Sequence, residues 1–329
     1  MKLGAICLVR NEIDIAELFL RHLDALMDEV IILDHLSFDG TSDLLQSACR
    51  QRKFWHYFKL TFKQKLQTQL IDFFIEKLQG SDLDFLFLLD VDEFILVKDR
   101  KELEVALTAV QPGFVGNLGW AYGIPQKSVK HRLKMTSLLR VSDTSSKFSK
   151  VVIPGNLLRK GGLRVSKGNH VVYDENWQVI PTQTIARLLH IPIRSESQLI
   201  RKTLIKAVDL VTDMERQPGE SYQYDHFLRL IRDDHLCYDT LLQALVIYEN
   251  DRPSVADNPE LQKFLKTSRI VRASDLIATS NSLVIYSKTK QVPLEVFIAD
   301  AMLDTKSMKY SLALFQIDGN NINLVNSEH

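Results

Sequence analysis

A chain of 329 residues sets 41 lysines and arginines against 41 acidic residues, so no net charge draws it to nucleic acid, and any anionic ligand must be met by cations placed locally. A composition 45% hydrophobic and 25% charged excludes a disordered or fibrous protein, and apolar runs no longer than Phe85 to Leu89 exclude a membrane-spanning segment, leaving only peripheral membrane association open. Cys7, Cys49 and Cys237 are odd in number and far apart, which excludes a disulfide framework or a zinc cluster and fits a reducing cytoplasm.

The chain opens directly on an apolar run, Leu3 to Val9, and three more follow at Val30 to Leu33, Phe54 to Leu60 and Phe85 to Leu89. Between the first two, Ile15, Leu18, Phe19, Leu23 and Leu26 recur at helical spacing and predict a helix over 12–27. Leu66, Leu70, Phe73, Phe74 and Leu78 do the same between the third and fourth, with Gly80 and Ser81 as the stop. Alternation of this kind is the signature of βαβ units, hence an α/β fold with a mostly parallel central sheet flanked by helices. Asp99 predicts an N-cap for a short helix over 103–110. From 114 to 190 short strand-like runs dominate, and 196–250 reads as mainly helical. One domain over 1–250 and a small accessory C-terminal region over 251–329 are therefore expected.

In an open α/β sheet, ligands sit beyond the carboxyl ends of the parallel strands. There the first run leads into Arg10, Asn11 and Glu12, the second into Asp34 and then Asp39, and the fourth into Asp90, Asp92 and Glu93. Two carboxylates about 4 Å apart repel by roughly 4 kcal/mol at an effective dielectric of 20, so this crowding calls for a cation. Asp90 and Asp92, two apart, fall on one side of an extended segment and can share an ion; hard oxygen ligands select magnesium or manganese. A second triplet, Asp82-Leu83-Asp84, precedes its strand and reads as a solvated turn at the wrong end of the sheet.

Further along, His190 ends the run from Ile185, and Arg194, Arg201 and Lys202 follow at a predicted helix start, where free backbone N–H groups suit phosphate oxygens. Arg194, nearest that start, is the expected phosphate contact, with Lys202 beside it. His170, Asp174 and Glu175 form a polar cluster after Gly168-Asn169. Of these, His170 and Glu175 are the candidate catalytic residues.

Leu8-Val9-Arg10-Asn11-Glu12, Asp34-His35-Leu36-Ser37-Phe38-Asp39-Gly40-Thr41 and Leu88-Leu89-Asp90-Val91-Asp92-Glu93-Phe94 resemble, in order and spacing, the N-terminal signatures of family-2-like glycosyltransferases. Gly168-Asn169-His170 and the stretch from His190 to Gln198 resemble the later part of the subgroup whose metal motif reads Asp-x-Asp-Glu-Phe. The resemblance, over roughly 1–205, implies a GT-A fold that moves a sugar from a nucleotide-diphosphate donor, expected to be a UDP-sugar, to the hydroxyl of a glycan or other acceptor, with inversion. It implies that Asp34 contacts the base, Asp90 the ribose or metal, Asp92 the metal, and that His190 completes the metal site; Arg10, Asn11, Glu12 and Asp39 would line the donor pocket. Leu36 stands where these enzymes often carry glycine.

Other enzyme classes fit less well. No Gly-x-Gly-x-x-Gly follows the first strand, as an oxidoreductase would require, and Glu93-Phe94 after the triplet departs from the small residue expected of an aspartate-nucleophile phosphatase. The alternative of another kind is a non-catalytic nucleotide- or glycan-binding module of similar fold.

Overall fold

The predicted alternation builds the first third of the chain: β1 (Leu3–Val9), α1 (Ala16–Leu26), β2 (Glu29–Asp34), α2 (Thr41–Arg50), β3 (Trp55–Leu60), α3 (Gln67–Lys77) and β4 (Phe85–Asp90). There follow β5 (Glu93–Leu96), α4 (Arg100–Thr108), β6 (Val115–Pro125), β7 (Leu138–Val141), β8 (Ser149–Pro154), α5 (Gly155–Lys160), β9 (Arg164–Val165), β10 (Val172–Tyr173) and β11 (Thr182–His190). The rest comprises α6 (Glu196–Thr212), α7 (Tyr222–Arg232), α8 (Tyr238–Asn250), α9 (Pro259–Thr267), β12 (Arg269–Arg272), β13 (Leu314–Asp318) and β14 (Asn321–Val325). The computed structural model describes residues 1–63, 66–129, 132–143, 146–212, 221–232, 236–250, 259–277 and 314–325. The apolar run Leu283 to Tyr286 in the sequence lies outside the described residues.

Strands β3, β2, β1 and β4 run parallel in that order, and β8 joins β4 antiparallel. Beyond it β6 pairs with β8 and β7 antiparallel and with β11 in parallel, so the sheet becomes mixed on this flank. The expected class is present: an α/β fold with a central sheet flanked by helices. The described parts of 251–329 continue this sheet, β12 pairing with β7 and β14 with β3.

Alternation along β1 divides the core. Leu3, Ala5, Cys7 and Val9 pack with α1 and α2 on one face, while Ile6 and Leu8 meet α3 on the other, as a two-residue period requires. A third cluster joins Tyr122 and Ile124 of β6 to α6, α7 and α8. Asp99 caps α4 by accepting from the Glu102 amide at 2.9 Å, as expected. Helix α1 begins at Ala16 rather than 12, because Asn11 takes a left-handed φ of 56° and residues 12–15 form a turn.

His22 on α1 ties this layer to the C-terminal part of the chain. Its Nδ1–H donates to the Leu276 carbonyl at 2.6 Å and its Nε2 accepts from the Ile95 amide at 2.9 Å, a pairing only the neutral ring can make. Burial pushes its pKa down to about 4, the Leu276 hydrogen bond opposing only in part. The unfolded chain, with an ordinary value of about 6.5, takes the proton first, so this contribution is full above pH 6.5 and lost as pH falls toward 4. Urea unfolding at pH 5 should give about 2 kcal/mol less stability from this group than at pH 7. His22→Leu should start from a lower stability and lack that component of the pH dependence.

Candidate functional site

The parallel neighbours β1 and β4 end side by side, Leu8 opposite Asp90, and release Arg10 to Glu12 and Asp90 to Asp92 at one edge. Next to them a cavity of about 610 Å³ is walled by Trp120 of β6, His190 at the end of β11, and Arg201, Lys202 and Lys206 on α6. Its position, beyond the carboxyl ends of the parallel strands, is the one in which ligands of open α/β sheets are held. Asp82 and Asp84 lie at the opposite end, beside Lys2, as the sequence reading of a solvated turn requires.

Asp90 closes β4 and a two-residue turn, Val91-Asp92, precedes β5. Across this turn the two carboxylates take different lysine partners, and both line the cavity. Asp90 accepts from Lys150 of β8 at 2.6 Å, and that ammonium, 0% exposed, also lies 3.5 Å from Glu93. Asp92 Oδ2 accepts from Lys202 Nζ at 2.8 Å and has His190 Nε2 at 3.5 Å. Burial alone would raise the Asp92 pKa, but Lys202, His190 and Arg194 hold it well below the carboxylate range. Glu93 is pushed well above that range, by burial first, which Lys150 only partly offsets, and by repulsion from Asp90 and Asp92. Among the described residues no group of three or more metal-ligating side chains stands ready to hold an ion.

Across the cavity, Trp120 packs edge-on against His170 at a 5.2 Å centroid separation and lies 4.6 Å from the His190 ring. His170 Nδ1 is 2.6 Å from the Ser149 carbonyl; a carbonyl only accepts, so Nδ1 carries the proton and Nε2 keeps its lone pair. Burial lowers the His170 pKa below the ordinary histidine value, the Ser149 hydrogen bond opposing in part and Lys150 adding a smaller push in the same direction, which favours the neutral ring. Gly168, at φ 80°, lies so close that a Cβ there would come within 2.5 Å of Nε2.

The other expected site residues divide. Arg10, Asn11, Glu12 and Lys202 line the cavity with Asp90, Asp92, His170 and His190. Asn11 Nδ2 is buried without a hydrogen-bond partner among the described residues, and Arg10 donates to Asp209 at 2.8 Å. Asp34 does not line the cavity: at 0% exposure it accepts from the Ser37 amide, the Ser42 hydroxyl and the Tyr57 hydroxyl, and so braces the loop after β2. Asp39 is buried in the same loop, accepting from Ile13 and Thr41 and lying 3.4 Å from Arg201. Leu36, in the glycine position, takes a left-handed φ of 56°, keeping the turn tight at a conformational cost of about 1 kcal/mol.

Arg194 is 1% exposed and is consumed by Glu12, by both oxygens of Asp14 and by the Ile191 carbonyl. It locks the segment after β11 onto the β1 loop and is not presented to phosphate. Glu175 is exposed in a turn that Asp174 closes with Asn176 and Gln178, and it is absent from the cavity wall. Lys150 and Trp120 escaped the sequence reading; the sole signal for Lys150 was a charge at the head of the apolar run Val151 to Ile153.

No protein-family profile and no curated protein matches the chain. Among solved structures it is similar to S. aureus TarS, at 13% identity over 81% of this chain and 53% of that one with a TM-score of 0.37. It is also similar to S. aureus TarS 1-349, at 12% identity over 100% of this chain and 97% of that one with a TM-score of 0.34. The chain thus spans about half the length of the first TarS chain. Scores this low assign no function.

The placement of Arg194 has a direct test. Arg194→Met leaves Asp14 buried without its cation and Glu12 with only the more distant Lys202, and should lower stability by about 3 kcal/mol, read from the urea midpoint. A phosphate contact would instead leave the midpoint unchanged and weaken only the binding of a nucleoside diphosphate.

Proposed function

We propose that the chain is a glycosyltransferase that moves a sugar from a nucleotide-diphosphate donor, a UDP-sugar by preference, to an acceptor hydroxyl in this cavity. The observation that carries the reading is the meeting, in one cavity at the strand ends, of α6 cations, the Asp90 to Asp92 turn and the neutral His170. The cations suit a diphosphate. The motifs that resemble family-2-like glycosyltransferases supply three of the segments lining it.

Asp92 Oδ2 and His190 Nε2, 3.5 Å apart, are spaced to take neighbouring positions on one divalent ion; the carboxylate oxygen suits magnesium or manganese, and the imidazole favours manganese, the transition metal of the two. Asp90, paired with Lys150, lines the same cavity, and diphosphate oxygens would complete the ligand set. When bound, such an ion stabilises the negative charge gathering on the departing diphosphate. Lys202 and Arg201 line the same cavity and supply positive charge to it.

On the acceptor side, the hydroxyl must lose its proton as it attacks the anomeric carbon. His170 Nε2 is the group this chain offers for that proton, held in orientation by the Ser149 carbonyl. A side chain at Gly168 would press on Nε2, which glycine avoids.

Incubation with UDP-sugars, acceptor and manganese should release UDP; a binding module would bind without release. His170→Gln should lower kcat by roughly a hundredfold or more with little change in UDP affinity. Because the base acts when neutral and its pKa is lowered, the wild-type rate should fall on an acid limb below about pH 6.5. That limb should be missing from the residual activity of His170→Gln. An unaltered pH profile in the variant would remove His170 from the reaction.

A further inference from the structure

Two lysine–carboxylate pairs guard the Asp90 to Asp92 turn, and they differ in kind. Lys150 is 0% exposed, sits between Asp90 and Glu93 and is absent from the cavity wall. Lys202 is 25% exposed on the cavity wall. Its ammonium lies 2.8 Å from Asp92 Oδ2, 3.4 Å from the Pro192 carbonyl and 3.7 Å from Glu12 Oε1. The same Asp92 oxygen is the one nearest His190 Nε2. A cation already occupies the Asp92 oxygen that would face an ion shared with His190.

We propose that Lys202 is an internal competitor for the divalent ion: its ammonium and the metal contend for Asp92 Oδ2, and an arriving diphosphate draws Lys202 off. Two cations within a hydrogen-bond length of one carboxylate oxygen repel each other, so one must yield. Lysine is suited to yielding, being a point charge on a flexible four-carbon stem, whereas the forked hydrogen bonds of Arg194 to Asp14 hold that neighbour in place. Once displaced, Lys202 remains on the cavity wall, where a diphosphate oxygen can replace the carboxylate. Metal and donor thus load together, and the bare protein holds metal weakly. The competition itself rests on the contacts of Lys202; the part played by diphosphate rests on the donor reading above.

The test is manganese binding by calorimetry and by electron paramagnetic resonance of the free ion, with no sugar and no turnover. Lys202→Met and Lys202→Gln, each checked for native unfolding behaviour, should bind Mn2+ roughly tenfold or more tighter than wild type, the range of a charge-assisted hydrogen bond. Lys206→Met, which removes the same charge one helical turn along, should give a far smaller shift. Saturating UDP should close most of the gap between wild type and Lys202→Met. Equal Mn2+ affinity in wild type and both Lys202 variants, no Mn2+ binding by those variants, or an equal gain in Lys206→Met would overturn the proposal. A tighter Mn2+ site in the Lys202 variants with no response to UDP would uphold the competition and remove the donor reading.

Discussion

Everything at this end of the molecule depends on neutralising carboxylates that the strand ends force together. Glu12, Asp14, Asp90, Asp92 and Glu93 leave β1 and β4 within one edge of the sheet, where low dielectric magnifies their repulsion. Their partners come from far away in the chain: Lys150 from 60 residues beyond Asp90, Lys202 from 110 beyond Asp92, and Arg194 from 180 beyond Asp14. These pairs fasten β8, the segment after β11 and α6 onto the N-terminal sheet. Buried ion pairs add little net stability over apolar packing, but breaking one is severe. Their service here is to fix where the later half of the chain must lie.

Much of the fold was legible because it is written in local periods. The two-residue alternation of β1 and the helical spacing of Leu18, Phe19, Leu23 and Leu26 each name a buried face without reference to the rest of the chain. Strand β6 was not legible, although it is the longest. Gly116 and Gly123 interrupt its apolar pattern and read as turn residues, yet each marks a close approach: a Cβ on Gly116 would crowd Val152 and Ile185, and one on Gly123 would crowd Leu189. The glycines that hid the strand are what let β8 and β11 pack against it.

The site divided along the same line. Sequence order places Asp90, Asp92 and His190 at strand ends, and the cavity is there. Which charge meets which is a long-range matter. The Asp90 to Asp92 spacing suggested one shared ion, whereas the turn at Val91 sends the two carboxylates to different lysines. Asp34 suggested a ligand contact, but hydroxyls from Ser42 and Tyr57 use its lone pairs inside the protein. Arg194 followed the same course, a cation at an apparent phosphate site that the fold spends on Asp14 and Glu12. Arg201, Lys202 and Lys206 of α6 and the rings of Trp120, His170 and His190 all stand on the cavity wall.

The most direct measurement is a crystal structure of the protein with UDP and manganese. The account predicts the diphosphate between the Asp92–His190 pair and the α6 cations, the ion on Asp92 and His190, and Lys202 turned from Asp92 toward a phosphate oxygen. UDP bound at saturating concentration elsewhere on the protein, with Lys202 still on Asp92, would contradict it.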